Sequence, residues 1–198
     1  MRALVVGGSG SGKSAFAEHL ACSLSTERTY VATMRAQGAE AHARIARHRL
    51  QRAHLGFATV AWDGCAKAPC MSDDIDAAAY AETPWGARPS TQASSVMLLD
   101  DLGNLAANAL FGNADTMADP QETLERLSVE LDALCAAFAH AVVVGNEAGC
   151  DHVPPQDEGT RAWIWLQGAL CCHLAALVPL VVEVVAGLPV YVKGEPIT

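Results

Sequence analysis

The chain has 198 residues, 51% hydrophobic and 18% charged, and its 22 Asp and Glu against 13 Lys and Arg give a formal net charge of −9. This length fits a single α/β domain over 1–198 and is short for two domains, while the apolar content excludes disorder over most of the chain. The negative charge repels a phosphate backbone, so no nucleic acid is expected as a partner.

A phosphate-binding loop is predicted directly after the first strand. Met1–Val6 is an apolar strand pattern, and the eight residues after it fit G-x-x-x-x-G-K-[ST] and open a helix. The glycines let backbone N–H groups turn toward phosphate oxygens, and the helix N-terminus adds partial positive charge. A glycine-rich turn that binds nothing is the alternative. We expect a nucleotide to bind through Gly7, Gly8, Ser9, Gly10, Ser11, Gly12, Lys13 and Ser14.

Three side chains are candidates for phosphoryl-transfer chemistry. Lys13 would reach the β and γ phosphates, and the Ser14 hydroxyl would coordinate Mg²⁺. The apolar run Val96–Leu99 ends in Asp100 and Asp101. A carboxylate at such a strand end holds Mg²⁺ directly or through water, and Asp100 is favoured because it ends the run. The alternative is that both aspartates only cap the helix that follows.

The remaining pattern alternates strands and helices, with an irregular excursion at 63–95 rich in Gly, Pro, Ser and Asp. It predicts a P-loop NTPase-like α/β fold: a mostly parallel sheet with helices on both faces and a C-terminal β-hairpin. The strands are predicted at Thr29–Thr33, Phe57–Trp62, Val96–Asp101, Ala141–Gly145, Leu180–Ala186 and Leu188–Lys193, and the later helices at Leu102–Phe111, Gln121–Ala139 and Glu158–Leu177.

The C-terminal third is apolar enough to raise the question of a membrane span. His173, Pro179 and Glu183 interrupt the run that begins at Gly168, so we predict a helix followed by strands and no span. The first residues already belong to the P-loop strand, which leaves no room for a cleavable signal peptide. A cytoplasmic location is expected.

A polar helix is predicted from Arg35 to Arg52, with the one dense basic group of this acidic chain. The i, i+4 spacing of Arg44, His48 and Arg52 places them on one face, against which an anion should lie. The alternative is a solvated charged helix in which His48 has no role.

These motifs together resemble the adenosylcobinamide kinase and adenosylcobinamide-phosphate guanylyltransferase family, called CobU or CobP. The resemblance runs almost end to end. The P-loop alone is common to many proteins, and the segment 44–52 is more specific, since it is similar to the family pattern R-I-x-x-H-R-x-x-R. Further similarities are Tyr30-Val31-Ala32-Thr33, Leu98-Leu99-Asp100 with Asn108 and Leu110, Asn146-Glu147-x-Gly149, Val153-Pro154, Arg161, Gly168 and the closing Val-Ala-Gly-Leu-Pro.

The resemblance implies two reactions in cobalamin biosynthesis. One is phosphorylation of adenosylcobinamide by GTP or ATP with Mg²⁺, and the other is transfer of GMP from GTP to adenosylcobinamide phosphate. His48 matches the histidine that carries GMP, and a neutral imidazole beside several Arg can attack an α-phosphate. The resemblance also implies a homo-oligomer, a trimer. Its nucleotide contacts fall on Ala32, Thr33, Met34, Arg49, Leu50, Gln51, Arg52 and Asp100.

The chain departs from the family at two places. The family has a glutamate about a dozen residues beyond the histidine, where this chain has Val60 or Ala61, and Asp63 is the acid that could substitute in guanine recognition. The family's R-D-x-x-G-x-x-N-Q pattern reads here as 164–172 without its Arg, Asp, Asn and Gln. Two alternatives stay open: a divergent homologue with one activity, and a P-loop regulatory protein without corrinoid turnover.

Overall fold

The computed structural model describes residues 1–35, 43, 46–47, 50, 52–65, 94–112, 116–148 and 155–196. Its strands and helices follow the order that the sequence predicts, and every predicted boundary within these ranges agrees to within a few residues. The elements are β1 (Arg2–Val6), α1 (Lys13–Leu24), β2 (Arg28–Ala32), a 3-10 turn (Ala53–Leu55), β3 (Phe57–Ala61), β4 (Val96–Asp100), α2 (Leu102–Phe111), α3 (Pro120–Ala136), β5 (His140–Val144), α4 (Glu158–Leu177), β6 (Leu180–Val185) and β7 (Leu188–Lys193).

The seven strands form a single sheet in the order β3-β2-β4-β5-β1-β6-β7. Every neighbouring pair is parallel except β6 with β7, which is antiparallel. The P-loop strand β1 therefore lies inside the sheet, between β5 and β6. Because the carboxyl ends of the parallel strands meet at one edge, the P-loop, Asp100 and the residues after β5 come together there.

Successive residues of the inner strands alternate between two apolar layers, as the pleat requires. Val96 and Leu98 of β4 face the layer covered by α1, and Met97 and Leu99 face the layer covered by α2, α3 and α4. All four side chains are at most 1% exposed. The predicted arrangement of helices on both faces of a mostly parallel sheet is confirmed.

The C-terminal hairpin is also confirmed. Ala186 and Gly187 join β6 to β7 with positive φ angles of 50° and 83°, the backbone signs that a tight type I′ turn requires. The N–H of Gly187 donates to the carbonyl of Ser11 at 2.8 Å. The hairpin turn is therefore tied to the P-loop.

Two predicted segments fall largely outside the described residues. Most of the polar helix predicted at 35–52 lies there, and so do residues 66–93 of the excursion predicted at 63–95. Across the described helices, none combines the length and apolar character that a membrane crossing needs. The prediction that 1–198 forms one domain stays a prediction.

Candidate active site

The P-loop is a sharp turn whose shape depends on glycine. Gly10 and Gly12 have φ angles of 71° and 91°, in the left-handed region that side chains with a Cβ rarely adopt. A Cβ on Gly12 would also come within 3.3 Å of the Gly187 Cα. Within the loop, the N–H of Ser11 donates to the Gly8 carbonyl at 3.2 Å. The predicted glycine spacing thus corresponds to a tight loop packed against the hairpin.

Helix α1 begins at Lys13, directly after the loop. Its N-cap is Gly12, which contributes no side-chain hydrogen bond to the first turn. The first N–H groups of a helix have no partner within the helix, so they are available to phosphate oxygens. The Lys13 side chain turns back over the loop, where its Nζ donates to the Gly8 carbonyl at 3.1 Å. The ammonium group is thereby held beside the phosphate cradle.

The P-loop borders a cavity of about 380 Å³. Two carboxylate residues, Glu147 after β5 and Glu183 on β6, contribute to its wall. Neither glutamate is among the site residues predicted from the sequence. The lining residues are Gly8, Ser9, Gly10, Ser11, Glu147, Glu183, Val184, Val185 and Ala186.

The two aspartates at the end of β4 have different surroundings. Asp100 Oδ1 accepts a hydrogen bond from the Ser14 hydroxyl at 3.4 Å. Asp101 is the N-cap of α2 and accepts from the Asn104 N–H at 2.7 Å. The capping alternative therefore describes Asp101, and Asp100 faces the P-loop. A hydroxyl and a carboxylate so close to the phosphate cradle are the hard oxygen ligands that Mg²⁺ takes, so the donor set fits this ion.

Thr33 fixes the end of β2 against the end of β4. Its side chain is fully buried, and its hydroxyl lies 3.1 Å from the Asp100 carbonyl oxygen and 2.9 Å from that of Asp101. The Asp101 N–H in turn donates to the Thr33 hydroxyl at 2.8 Å. Ala32 and Met34 on either side are half-buried. The predicted nucleotide segment 32–34 thus lies at the same sheet edge as Asp100.

Arg52, the last residue of the basic segment, packs against Tyr30 of β2 and helix α1. Its side chain is 8% exposed, and its guanidinium lies over the Tyr30 ring, with Cζ 3.6 Å from the ring centroid. Arg52 also makes a loose ion pair with Glu18 of α1 at 3.9 Å. Burial raises the pKa of Glu18, and Arg52 opposes that shift without cancelling it.

Most of the predicted basic face falls outside the part of the chain that the structure describes. Arg44, His48, Arg49 and Gln51 lie outside the described residues, and Leu50 is 77% exposed. Their roles as guanylyl carrier and nucleotide contacts stay predictions. Of the residues in this segment that are predicted to contact nucleotide, Arg52 is the only one whose polar contacts the structure describes.

Asp63, the acid that could substitute for the family's glutamate, is already engaged. Arg35 donates to Asp63 Oδ2 from Nε at 2.9 Å and from Nη2 at 2.6 Å, and the Cys65 N–H donates to Oδ1 at 3.0 Å. Val60 is buried and Ala61 is an apolar residue at the end of β3, so neither supplies a carboxylate. Guanine recognition by Asp63 stays a prediction, and it would require Asp63 to exchange these contacts.

Helix α4 packs beside the segment that follows the carboxyl end of β5. The Trp163 indole N–H donates to the Gly103 carbonyl at 2.8 Å, and Gln167 Nε2 donates to the Asn146 carbonyl at 2.9 Å. Gln167 is 1% exposed. The Asn146-Glu147 segment is thus held by a buried amide of α4, the helix that lacks the family's polar pattern.

Tyr30 is a residue of this site that was not predicted from the sequence. Its hydroxyl donates to Asp100 Oδ2 at 2.9 Å. Tyr30 was noted only as part of a strand, because its contact with Asp100 depends on β2 pairing with β4, about seventy residues later in the chain. The sequence signal for this contact is a residue with a polar end group two positions before the end of a strand.

Comparison with known proteins agrees with the sequence resemblance. Bifunctional adenosylcobalamin biosynthesis protein CobP from Pseudomonas aeruginosa is 31% identical over 198 residues, 100% of both chains. Among solved structures, flagellar accessory protein FlaH from Methanocaldococcus jannaschii has a TM-score of 0.46 at 13% identity, covering 98% of this chain and 78% of that chain. The KaiC-like protein PH0186 from Pyrococcus horikoshii has a TM-score of 0.42 at 13% identity, covering 92% and 71%.

At these TM-scores the two structures carry no functional argument. The sequence profile of the CobU family, described as cobinamide kinase / cobinamide phosphate guanyltransferase, matches residues 3–192. The match includes the P-loop, the ends of β2 and β4, the basic segment and the hairpin. This chain therefore belongs to the CobU family of cobinamide kinases and cobinamide phosphate guanyltransferases.

Proposed function

We propose that this chain phosphorylates the aminopropanol hydroxyl of adenosylcobinamide and then transfers GMP from GTP to the resulting phosphate, giving adenosylcobinamide-GDP. The observation that carries the kinase half is the meeting of Ser14 and Asp100 beside the P-loop. Family membership, from the profile match and the full-length relative, supports both halves.

In the kinase half, the chain's own groups bind and orient the triphosphate. Backbone N–H groups of the loop and of the first turn of α1 would hold the β and γ phosphates. Lys13 would move from the Gly8 carbonyl to the phosphates and offset the charge that develops on the transferred group. Ser14 and Asp100 would hold Mg²⁺, which neutralises phosphate charge when bound.

In the guanylyl half, His48 would act as nucleophile. A ring nitrogen forms a bond to the α-phosphorus of GTP, and pyrophosphate leaves. A phosphate oxygen of adenosylcobinamide phosphate then attacks the same phosphorus, and the P–N bond breaks to restore the histidine. His48 precedes Arg52 by four residues, so chain length alone keeps its Cα within about 14 Å of the Arg52 Cα. The Arg52 side chain lies over the ring of Tyr30, whose hydroxyl donates to Asp100.

A second candidate is a chain that keeps the kinase reaction alone. It is favoured by the environment of β3, where Val60 and Ala61 supply no carboxylate and Asp63 is paired with Arg35. A guanine that lacks its acidic partner would bind less selectively. The corrinoid products distinguish the two candidates.

The test is a product assay with purified chain, adenosylcobinamide, Mg²⁺ and either GTP or ATP, followed by chromatography and mass spectrometry. The two-step proposal predicts adenosylcobinamide phosphate as an intermediate and adenosylcobinamide-GDP as the end product with GTP. Accumulation of the phosphate alone would favour the kinase-only candidate. Nucleotide binding without any corrinoid product would contradict both.

A further inference from the structure

Tyr30 binds one oxygen of the Asp100 carboxylate, and the other oxygen of that carboxylate faces the P-loop. Its hydroxyl donates to Asp100 Oδ2 at 2.9 Å, and Asp100 Oδ1 accepts from Ser14 at 3.4 Å. Burial and the nearby carboxylate raise the pKa of the Tyr30 phenol far above its usual range. In the hydrogen bond between them, the Tyr30 hydroxyl is the donor and the Asp100 carboxylate is the acceptor.

The Tyr30 ring is held in place from two directions. Arg52 stacks on it with Cζ 3.6 Å from the centroid, and Phe57 packs edge-to-face with centroids 6.2 Å apart. Tyr30 is only 4% exposed. A buried ring with such neighbours has little rotamer freedom, so the position of its hydroxyl is well defined.

The sheet register explains why this position carries a tyrosine-length side chain. Ala32 is the residue of β2 that pairs with Asp100, and Tyr30 precedes it by two residues on the same face. A side chain must span that two-residue step to reach the carboxylate. The aromatic ring fills the distance, and the hydroxyl at its tip supplies the hydrogen bond.

We propose that Tyr30 is a positioning residue for the magnesium-nucleotide site. By occupying Oδ2 it fixes the rotation of the Asp100 carboxylate, so that Oδ1 faces Ser14. Without this hydrogen bond the carboxylate could rotate about its side-chain torsion, which is broad for Asp, and would present Oδ1 only part of the time. The inference rests on the proposed role of Asp100 as the acid that holds Mg²⁺.

The experiment compares Tyr30→Phe with Tyr191→Phe, the matched change on β7. Binding of the non-hydrolysable GTP analogue GMPPNP is measured by calorimetry with and without Mg²⁺. We expect Tyr30→Phe to reduce the gain in affinity that Mg²⁺ provides by about tenfold, the size of a hydrogen bond to a charged group, while Mg²⁺-free binding stays within twofold. Tyr191→Phe should leave both values unchanged.

A double-mutant cycle tests whether Tyr30 acts through Asp100. In an Asp100→Asn background, Tyr30→Phe should change the Mg²⁺-dependent affinity by less than twofold, because the carboxylate that it positions is already gone. Equal losses in both backgrounds would mean that Tyr30 acts by general support of the fold, and would overturn the inference. If Asp100→Asn itself left the Mg²⁺ effect intact, the role of Asp100 would fail instead, and with it the basis of the proposal.

Discussion

The Ser14 hydroxyl lies 3.4 Å from Oδ1 of Asp100, although 86 residues separate them in the chain. The contact arises because β1 and β4 both end at the same edge of a parallel sheet, with β5 between them. It places the last residue of the P-loop motif opposite the acid that ends the β4 strand. A divalent cation beside the nucleotide phosphates would find both oxygen types there.

The first prediction concerns Lys13. Lys13→Ala should lower kcat for phosphorylation of adenosylcobinamide by at least about a thousandfold, since a neutral methyl cannot offset charge on the transferred phosphoryl group. The unfolding midpoint should change little. Lys193→Ala, which removes an exposed lysine from β7, is the matched control and should retain normal turnover. Unimpaired phosphorylation by Lys13→Ala would refute the role of the P-loop.

Asp100 and Asp101 should differ sharply in a magnesium titration. Asp100→Asn should raise the Mg²⁺ concentration needed for half-maximal turnover by roughly tenfold or more, because a carboxylate ligand becomes a neutral amide. Asp101→Asn should leave it nearly unchanged, and asparagine caps a helix about as well as aspartate, so stability should shift by less than about 0.5 kcal/mol. The opposite ranking would show that the two acids had been assigned the wrong way round.

Gly103 should not tolerate a methyl group. A Cβ there would lie 2.5 Å from Asn146 Nδ2 and 2.7 Å from Gln167 Oε1, both of them polar atoms in a packed region. Gly103→Ala should reduce the free energy of unfolding by about 1–3 kcal/mol, measured by urea denaturation. Gly168→Ala, at a helical position with nothing within 4 Å of the new Cβ, should be neutral or stabilise by up to about 1 kcal/mol. Equal effects would argue against tight packing at Gly103.

Glu18 should make stability depend on pH. Its pKa is raised in the folded chain, chiefly by burial, so folding favours the protonated form. That contribution is present below the unfolded pKa and is lost as pH rises through the folded pKa. Glu18→Gln should therefore be more stable than wild type near pH 7.5, with a difference that fades toward pH 4.

The check is urea denaturation of both proteins across this pH range, with the exposed Glu195→Gln as the baseline variant. A loss of stability in Glu18→Gln at neutral pH would mean that the ion pair with Arg52 outweighs burial of the carboxylate. In that case the raised pKa would have to be abandoned as an explanation.

Site residues could be predicted from the sequence where their role depends on residues that are close to them in the chain. The P-loop needs its glycines, Lys13 and Ser14 within eight residues, and Asp100 is marked by the apolar run that it ends. Helix α3 begins at Pro120 because Asp119 caps it, a signal written in two adjacent residues. The spacing of apolar residues along the chain likewise distinguished the strands from the helices.

The remaining features depend on strand pairing over long separations. Tyr30 reaches Asp100 only because β2 pairs with β4 in one register, and a shift by one residue would turn its side chain to the other face. The ion pair between Arg35 and Asp63 joins the segments after β2 and β3, and it engages the acid that could substitute for the family's glutamate. Neither register nor ion-pair choice is encoded in the local pattern of residues.

The guanylyl half of the proposed function depends on His48 carrying GMP. Purified chain is incubated with Mg²⁺ and GTP labelled either at the α or at the γ phosphate, and the protein is then separated from free nucleotide. We predict α label on the wild type, stable in alkali and lost in acid as a histidine phosphoramidate requires, with no γ label. Labelling should persist in His54→Ala and disappear in His48→Ala, which should still phosphorylate adenosylcobinamide. Absence of α label from wild-type protein that phosphorylates adenosylcobinamide would contradict the two-step account and leave the kinase alone.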